Sequence, residues 1–295
     1  MGVGLVAGDV SASRAPRSQL AEELRRLRVL AGLSGRGLGE QIGISQSKIS
    51  RIESGQTAPS LPEVSRWAEA VGADPSTLEL VLALTKAALT EIHGWQATLE
   101  QRPHLQGDIQ AREDAARVTS VFEASLVPGL LQTAGYAQRV FGLAGIPYSP
   151  TALAAAVAGR MQRQLALYDT EKEFTFLITE AALRWRPGPT STQRMQLDRI
   201  VAVSTLDNVT VGIVPLHAPA RTFVSHSYVI YQAGDAEASS FVEAEMVHAG
   251  LIANDPDHVH LYKKHWAALM QMAVFGDAAS HLLTSLVQEL DGGDE

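Results

Sequence analysis

The chain contains no cysteine. That excludes a disulfide framework, a thiolate zinc site and a cysteine nucleophile. Long hydrophobic runs are missing too, since no apolar stretch approaches the roughly 20 residues that a membrane-spanning helix needs. The start of the chain holds a few apolar residues broken by glycines and Asp9, without the basic-then-apolar order of a signal peptide. No phosphate-binding loop or dinucleotide fingerprint is present. These absences point to a cytoplasmic protein that uses neither membrane nor cofactor. What is there is ordinary globular material: 295 residues, 46% of them hydrophobic and 19% charged, enough for two domains with real cores.

An excess of positive charge is also lacking, because the net charge is −8. The distribution matters more than the sum. Residues 1–85 carry nine basic and nine acidic groups, so the whole excess of acid falls on residues 86–295. Within residues 17–56 seven basic groups face four acids. Salt screens charges beyond about 8–10 Å, so a local basic face can act on an acidic protein.

Residues 1–17, rich in Gly, Ala and Ser, read as a mobile tail. Leu20, Leu24, Leu27 and Ala31 then repeat along one helix face, and Gly32 ends that helix. Ser34 is placed to cap a second helix that Gly43 stops near Ile42. Ser45 caps a third, Gln46 to Ser54, with Ile49 and Ile52 inward and Gly55 beyond its end. Ser60-Leu61-Pro62-Glu63 forms a capping box for a fourth helix, and Asp74-Pro75 opens a fifth. The second and third helices are joined only by Gly43-Ile44-Ser45, a helix-turn-helix arrangement. Gly37 and Gly39 weaken the second helix, at about 1 kcal/mol each against alanine.

Residues 24–60, LRRLRVLAGLSGRGLGEQIGISQSKISRIESGQTAPS, are similar to the Cro and phage-repressor type (XRE) of DNA-binding domain. With Ile49 and Ile52 inward, Gln46, Ser47, Lys48, Ser50 and Arg51 face outward on the helix that such motifs place in the major groove. Gln46 suits an adenine edge; Arg51 or Lys48 suits guanine or phosphate. The resemblance implies base contacts from Gln46, Ser47 and Arg51 and phosphate contacts from Ser45 and Lys48. It also implies a structural ion pair between Arg28 and Glu53. Gly35 stands where the family commonly has a phosphate-binding glutamine; either Arg36 beside it or the backbone N–H groups of the helix start alone can supply the replacement phosphate contact.

Beyond residue 84 the reading is of a larger α+β domain, residues 85–290, with a small mixed sheet and an acidic tail at 291–295. Residues 110–145 read as a helix, a turn at Val127-Pro128-Gly129 and another helix; residues 151–168 read as a further helix. Strands are expected at 173–179, 208–214, 227–232 and 240–245, and helices at 191–205 and 257–288. FEASLVPGLLQTAGYA (122–137), Arg160-Met161-Gln162-Arg163-Gln164, ITEAALRW (178–185) and VTVGIVP (209–215) are similar to the C-terminal domain of WhiJ-like actinobacterial regulators. That resemblance implies an antitoxin-like or signal-receiving module, often with a small companion protein.

Arg160 and Arg163 share a helix face and suit an anionic ligand or a partner carboxylate; pairing with the domain's own acids, such as Glu180, is the plainer alternative. His258, His260 and His265 lie near Asp255 and Asp257, but His258 and His260 point about 200° apart on a helix that Asp257 caps. No metal site is therefore expected. Ser225-His226-Ser227 lacks a nucleophile elbow, and no catalytic constellation is expected elsewhere. The expectation is a double-stranded-DNA-binding regulator, homodimeric on an inverted-repeat operator and controlled by a small-molecule effector or companion protein. The alternative is an antitoxin-like interaction protein that binds DNA mainly for autoregulation.

Overall fold

The computed structural model describes residues 14–94, 106–145, 148–234, 240–246 and 249–292, in two compact units that divide after Gly94. None of the described helices is long and apolar enough to cross a membrane.

The first unit has five helices: α1 (Arg14–Leu30), α2 (Gly35–Ile42), α3 (Gln46–Glu53), α4 (Leu61–Ala70) and α5 (Pro75–Ala88), then a short strand, β1 (Thr90–Gly94). Helix α1 starts at Arg14, so part of the expected tail is helical; residues 1–13 lie outside the described residues. The 84/85 boundary falls inside α5, whose Val81, Thr85 and Ala88 are buried. Leu20, Leu24 and Leu27 are buried as their spacing predicts, whereas Ala31 lies past the helix end and is exposed. They pack with Leu38, Ile42, Ile49, Ile52, Val64 and Trp67. The caps are made as the sequence suggests: Ser34 accepts from Gly37 N, Ser45 from Lys48 N, and Ser60 N donates to Glu63.

Gly39 is more than a weak helix residue. A Cβ there would stand 2.6 Å from the carbonyl oxygen of Ile44, so its absence lets the turn fold tightly against α2. Gly43 takes φ +74°, a left-handed conformation that costs glycine little and reverses the chain between α2 and α3.

The second unit is built on a six-stranded mixed sheet. In chain order its elements are α6 (Gln106–Ala115), β2 (Val118–Glu123), α7 (Ala134–Leu143), α8 (Pro150–Arg163), β3 (Glu173–Thr179), α9 (Glu180–Arg184), α10 (Thr190–Val203), β4 (Val209–Val214), β5 (Tyr228–Gln232), β6 (Ser240–Glu245), β7 (Ala249–Ala253), α11 (Pro256–Met270) and α12 (Gly276–Gly292). These strands run in the order β7-β6-β5-β2-β3-β4. β3 is parallel to both β2 and β4, and the remaining pairs are antiparallel. Val121, Phe176 and Ile213 face one core with Leu197, Ile200 and Leu283. Phe122, Leu177 and Tyr228 face a second core with Val259 and Leu269.

Four of these strands match the sequence reading within a residue or so. β2, read there as part of a helical stretch, is instead an inner strand between β5 and β3. Its VTSVFE run is β-branched and aromatic, but cores on both faces blur the period-2 pattern. β7 was also not expected. The single helix at 257–288 is two, broken where Val274 exchanges backbone hydrogen bonds with Ile213 (2.8 and 3.0 Å) and Gly276 takes φ +54°. Asp255, not Asp257, caps α11, accepting from Asp257 N and His258 N. The expected tail begins inside α12, and residues 293–295 lie outside the described residues.

Candidate nucleic-acid interface

Burial of Ile49 and Ile52 turns the opposite face of α3 outward, where Gln46, Ser47, Ser50 and Arg51 are exposed. No acid stands on this outward face. Glu53, the only carboxylate of α3, is drawn away by Arg28, whose Nε and Nη2 reach its two oxygens at 2.5 and 2.8 Å. Arg28 Nη1 also donates to Leu33 O at 2.7 Å, so this guanidinium ties α1 to α3 and to the turn before α2. Hydrogen bonding to Glu53 raises the Arg28 pKa, with burial opposing it. This pair is structural cement, removed from the outward face of α3.

Lys48 differs from its neighbours. Its Nζ lies 2.5 Å from Glu63 Oε1, and Glu63 Oε2 accepts from Ser60 N at 2.9 Å. Burial works against the Glu63 carboxylate, but Lys48 and Ser60 outweigh it and hold the pKa below the usual carboxylate range. Lys48 therefore fastens α3 to the start of α4, and any phosphate contact has to come from its remaining ammonium donors.

Ser34, Gly35, Arg36, Glu40, Ile44, Ser45 and Gln46 line one surface cleft at the N-terminal ends of α2 and α3. Free backbone N–H groups and the positive helix ends make such a place suitable for a phosphate. Arg36 stands at its rim, highly exposed, with its Nε 3.0 Å from Glu40 Oε1. An exposed pair of this kind holds its partners weakly, leaving the guanidinium available to an external anion.

In the second unit Arg160 and Arg163 part company. Arg163 forms a buried bidentate pair with Glu113, at 2.9 and 2.5 Å. Arg160 Nη1 donates to Gln132 Oε1 at 2.6 Å, and its guanidinium carbon lies 4.1 Å from the centre of the Phe141 ring. Glu180 takes neither; it pairs with Arg184 at 2.8 Å and accepts from Leu216 N. His265 is held between Tyr228 OH and Phe223 O, at 2.9 and 2.8 Å. Ser225 Oγ meets His226 Nδ1 at 2.8 Å, but the other ring nitrogen faces Tyr262 OH, not a carboxylate.

The VPGLLQT stretch owes its form to buried amides that spacing alone did not reveal. Gln132 Nε2 donates to Val127 O, Gln164 Nε2 to Gln132 O, and Gln196 Nε2 to Leu131 O. Gln196 Oε1 also accepts from Thr133 N at 2.7 Å. Three separate segments thus satisfy the polar backbone of a buried loop.

A model for a helix-turn-helix domain matches residues 19–81. A model described as a domain of unknown function (DUF5753) matches residues 106–285, more than half of the chain. The chain belongs to the DUF5753 family. No curated protein matches it. In this DUF5753 protein the helix-turn-helix match spans α2 and α3 and supports a DNA-binding regulator.

Proposed function

We propose that the protein is a sequence-specific transcriptional regulator. It binds an inverted-repeat operator as a homodimer and responds to a signal received by its second unit. The observation that carries this reading is the acid-free outward face of α3, with Gln46, Ser47, Ser50 and Arg51 exposed and Glu53 neutralised by Arg28. Gln46 and Arg51 are the side chains suited to base edges. Ser45, Arg36 and the spare donors of Lys48 are suited to phosphates.

One small helical module makes too few contacts for tight, selective binding, which is the argument for a dimer on two half-sites about one helical turn apart. The protein acts by binding and not by catalysis. The second unit serves in the manner suggested by its similarity to WhiJ-like regulators, as a receiver for a small molecule or a companion protein.

The test is genome-wide binding of the tagged protein in its native cells, with co-purifying proteins identified from the same lysate. A few sharp sites sharing an inverted repeat are expected. No enriched DNA together with a stoichiometric small partner would overturn the reading in favour of an antitoxin-like interaction protein.

A further inference from the structure

The second unit encloses a cavity of ≈ 460 Å³ between the VPGLLQT loop, α8 and the strands β2, β5 and β6. Its lining includes Phe176, Val229 and Val121, which offer an apolar wall. It also includes six charged side chains, and these fall into two classes. Glu113 is neutralised by Arg163, and Glu243 by Arg112 from outside the lining, with closest approaches of 2.5 and 2.6 Å. Glu123, Glu245 and Arg160 form no ion pair among the described residues, although all three face the same cavity.

Their separation is built in. Gln132 and the Phe141 ring hold Arg160 on the loop side. Arg160 Nε is buried with no hydrogen-bond partner among the described residues, so a donor is left for something else. Glu123 ends β2 and is engaged by the Ser227 hydroxyl, while Glu245 ends β6 at the exposed rim. A cation and two carboxylates that are kept apart around a partly apolar space call for a molecule carrying both complementary charges.

We infer that this cavity receives a small dipolar molecule, its amine set between Glu123 and Glu245 and its anionic group on Arg160, with its apolar body against Phe176 and Val229. The inference deepens the signal-receiving reading of the second unit. Its test needs no DNA, so failure here and failure of operator binding are distinguishable.

The groups acting on Glu123 are Glu245 on β6, Arg160 on α8, Ser227 before β5 and Tyr136 on α7. His226 also lines the cavity, its pKa lowered by burial and by His265, so it is neutral near pH 7. Burial, reinforced by Glu245, pushes the Glu123 carboxyl up to about 8 despite Ser227 and Arg160. An incoming ammonium favours the ionised carboxylate, so binding near pH 7 expels a proton from Glu123 into the buffer.

The experiment is calorimetric titration of the full chain with L-phenylalanylglycine, its N-acetyl analogue and its C-terminal amide. Each is run at pH 7 in two buffers of different ionisation heat. One site per chain is expected, with affinity falling at least tenfold when either charge of the dipeptide is removed. Proton release should accompany binding and vanish in Glu123→Gln. Glu245→Gln, at the exposed rim, should weaken binding several-fold without affecting folding. Absence of binding by the dipeptide overturns the inference. Equal affinity of the charge-blocked analogues overturns it too, as does unchanged affinity and proton release in Glu123→Gln.

Discussion

The two units place their polar side chains in opposite ways. In the first, charged groups that touch each other serve the fold: Arg28 with Glu53, Lys48 with Glu63. The groups left over face solvent on α3 and suit an external partner. In the second, amides and ion pairs are driven inward, where Gln132, Gln164 and Gln196 support a loop and Arg163 meets Glu113. There the side chains without ion-pair partners, Glu123 and Arg160, line a cavity. One unit leaves its spare polar groups on a surface and the other turns them toward a cavity. In each, the candidate functional residues are those that the fold does not consume.

The largest expected effect lies in the second unit. Glu113→Ala leaves Arg163 charged and buried without its partner, and breaking such a pair costs about 3–5 kcal/mol. Denaturant unfolding should show that loss in the second unit's transition while the first unit's stays in place. A shift in both, or in neither, breaks the contrast. The next effect tests the helix-turn-helix. Gly39→Val forces a side chain into the approach of Ile44 O and should cost about 1–3 kcal/mol, read as a lower melting temperature of the first unit.

The pH dependence sharpens the comparison because the two units carry opposite signs. Glu63 has a depressed native pKa, so its contribution is present above the unfolded value of about 4.3 and is lost as pH falls toward the native one. Glu123 is raised to about 8, so the native state holds the extra proton between about 4.3 and 8, and stability falls as pH rises through that window. Glu63→Gln should flatten the acid limb of the first unit. Glu123→Gln should flatten the decline of the second between about pH 4.3 and 8. Unfolding monitored from pH 3 to 9 checks both, and the same sign in both units would contradict the assignment.

The smallest expected effect is at the protein–DNA boundary. Lys48→Ala should weaken operator and random DNA alike and reduce the salt slope by less than one phosphate contact, because Glu63 already holds part of the ammonium. A full unit of slope would mean that Lys48 leaves Glu63 when DNA binds.

Legibility in the sequence followed the same divide. The first unit is made of local signals, so Ser34, Ser45, Ser60 and Asp74 marked helix starts and Ile49 and Ile52 marked the buried side of α3. The pairing of Lys48 with Glu63 was not legible, since it depends on how α3 meets the start of α4. In the second unit, strands with distinct alternation could be read, but β2, packed on both faces, could not. Nor could the partners of Arg163 and Arg160, which come from Glu113 and Gln132 on segments far away along the chain. Helix spacing placed the two arginines on one face; tertiary packing sent one to a carboxylate and the other to a cavity.

The central claim is that the exposed face of α3 reads base sequence. The most direct measurement is the ratio of affinities for the selected operator and for random DNA, at fixed salt, in the native protein and in Arg51→Ala. Loss of a base contact is expected to reduce that ratio by about 1–3 kcal/mol, roughly 5- to 150-fold, with binding to random DNA changing far less. An unchanged ratio would contradict the account and move the reading surface away from α3.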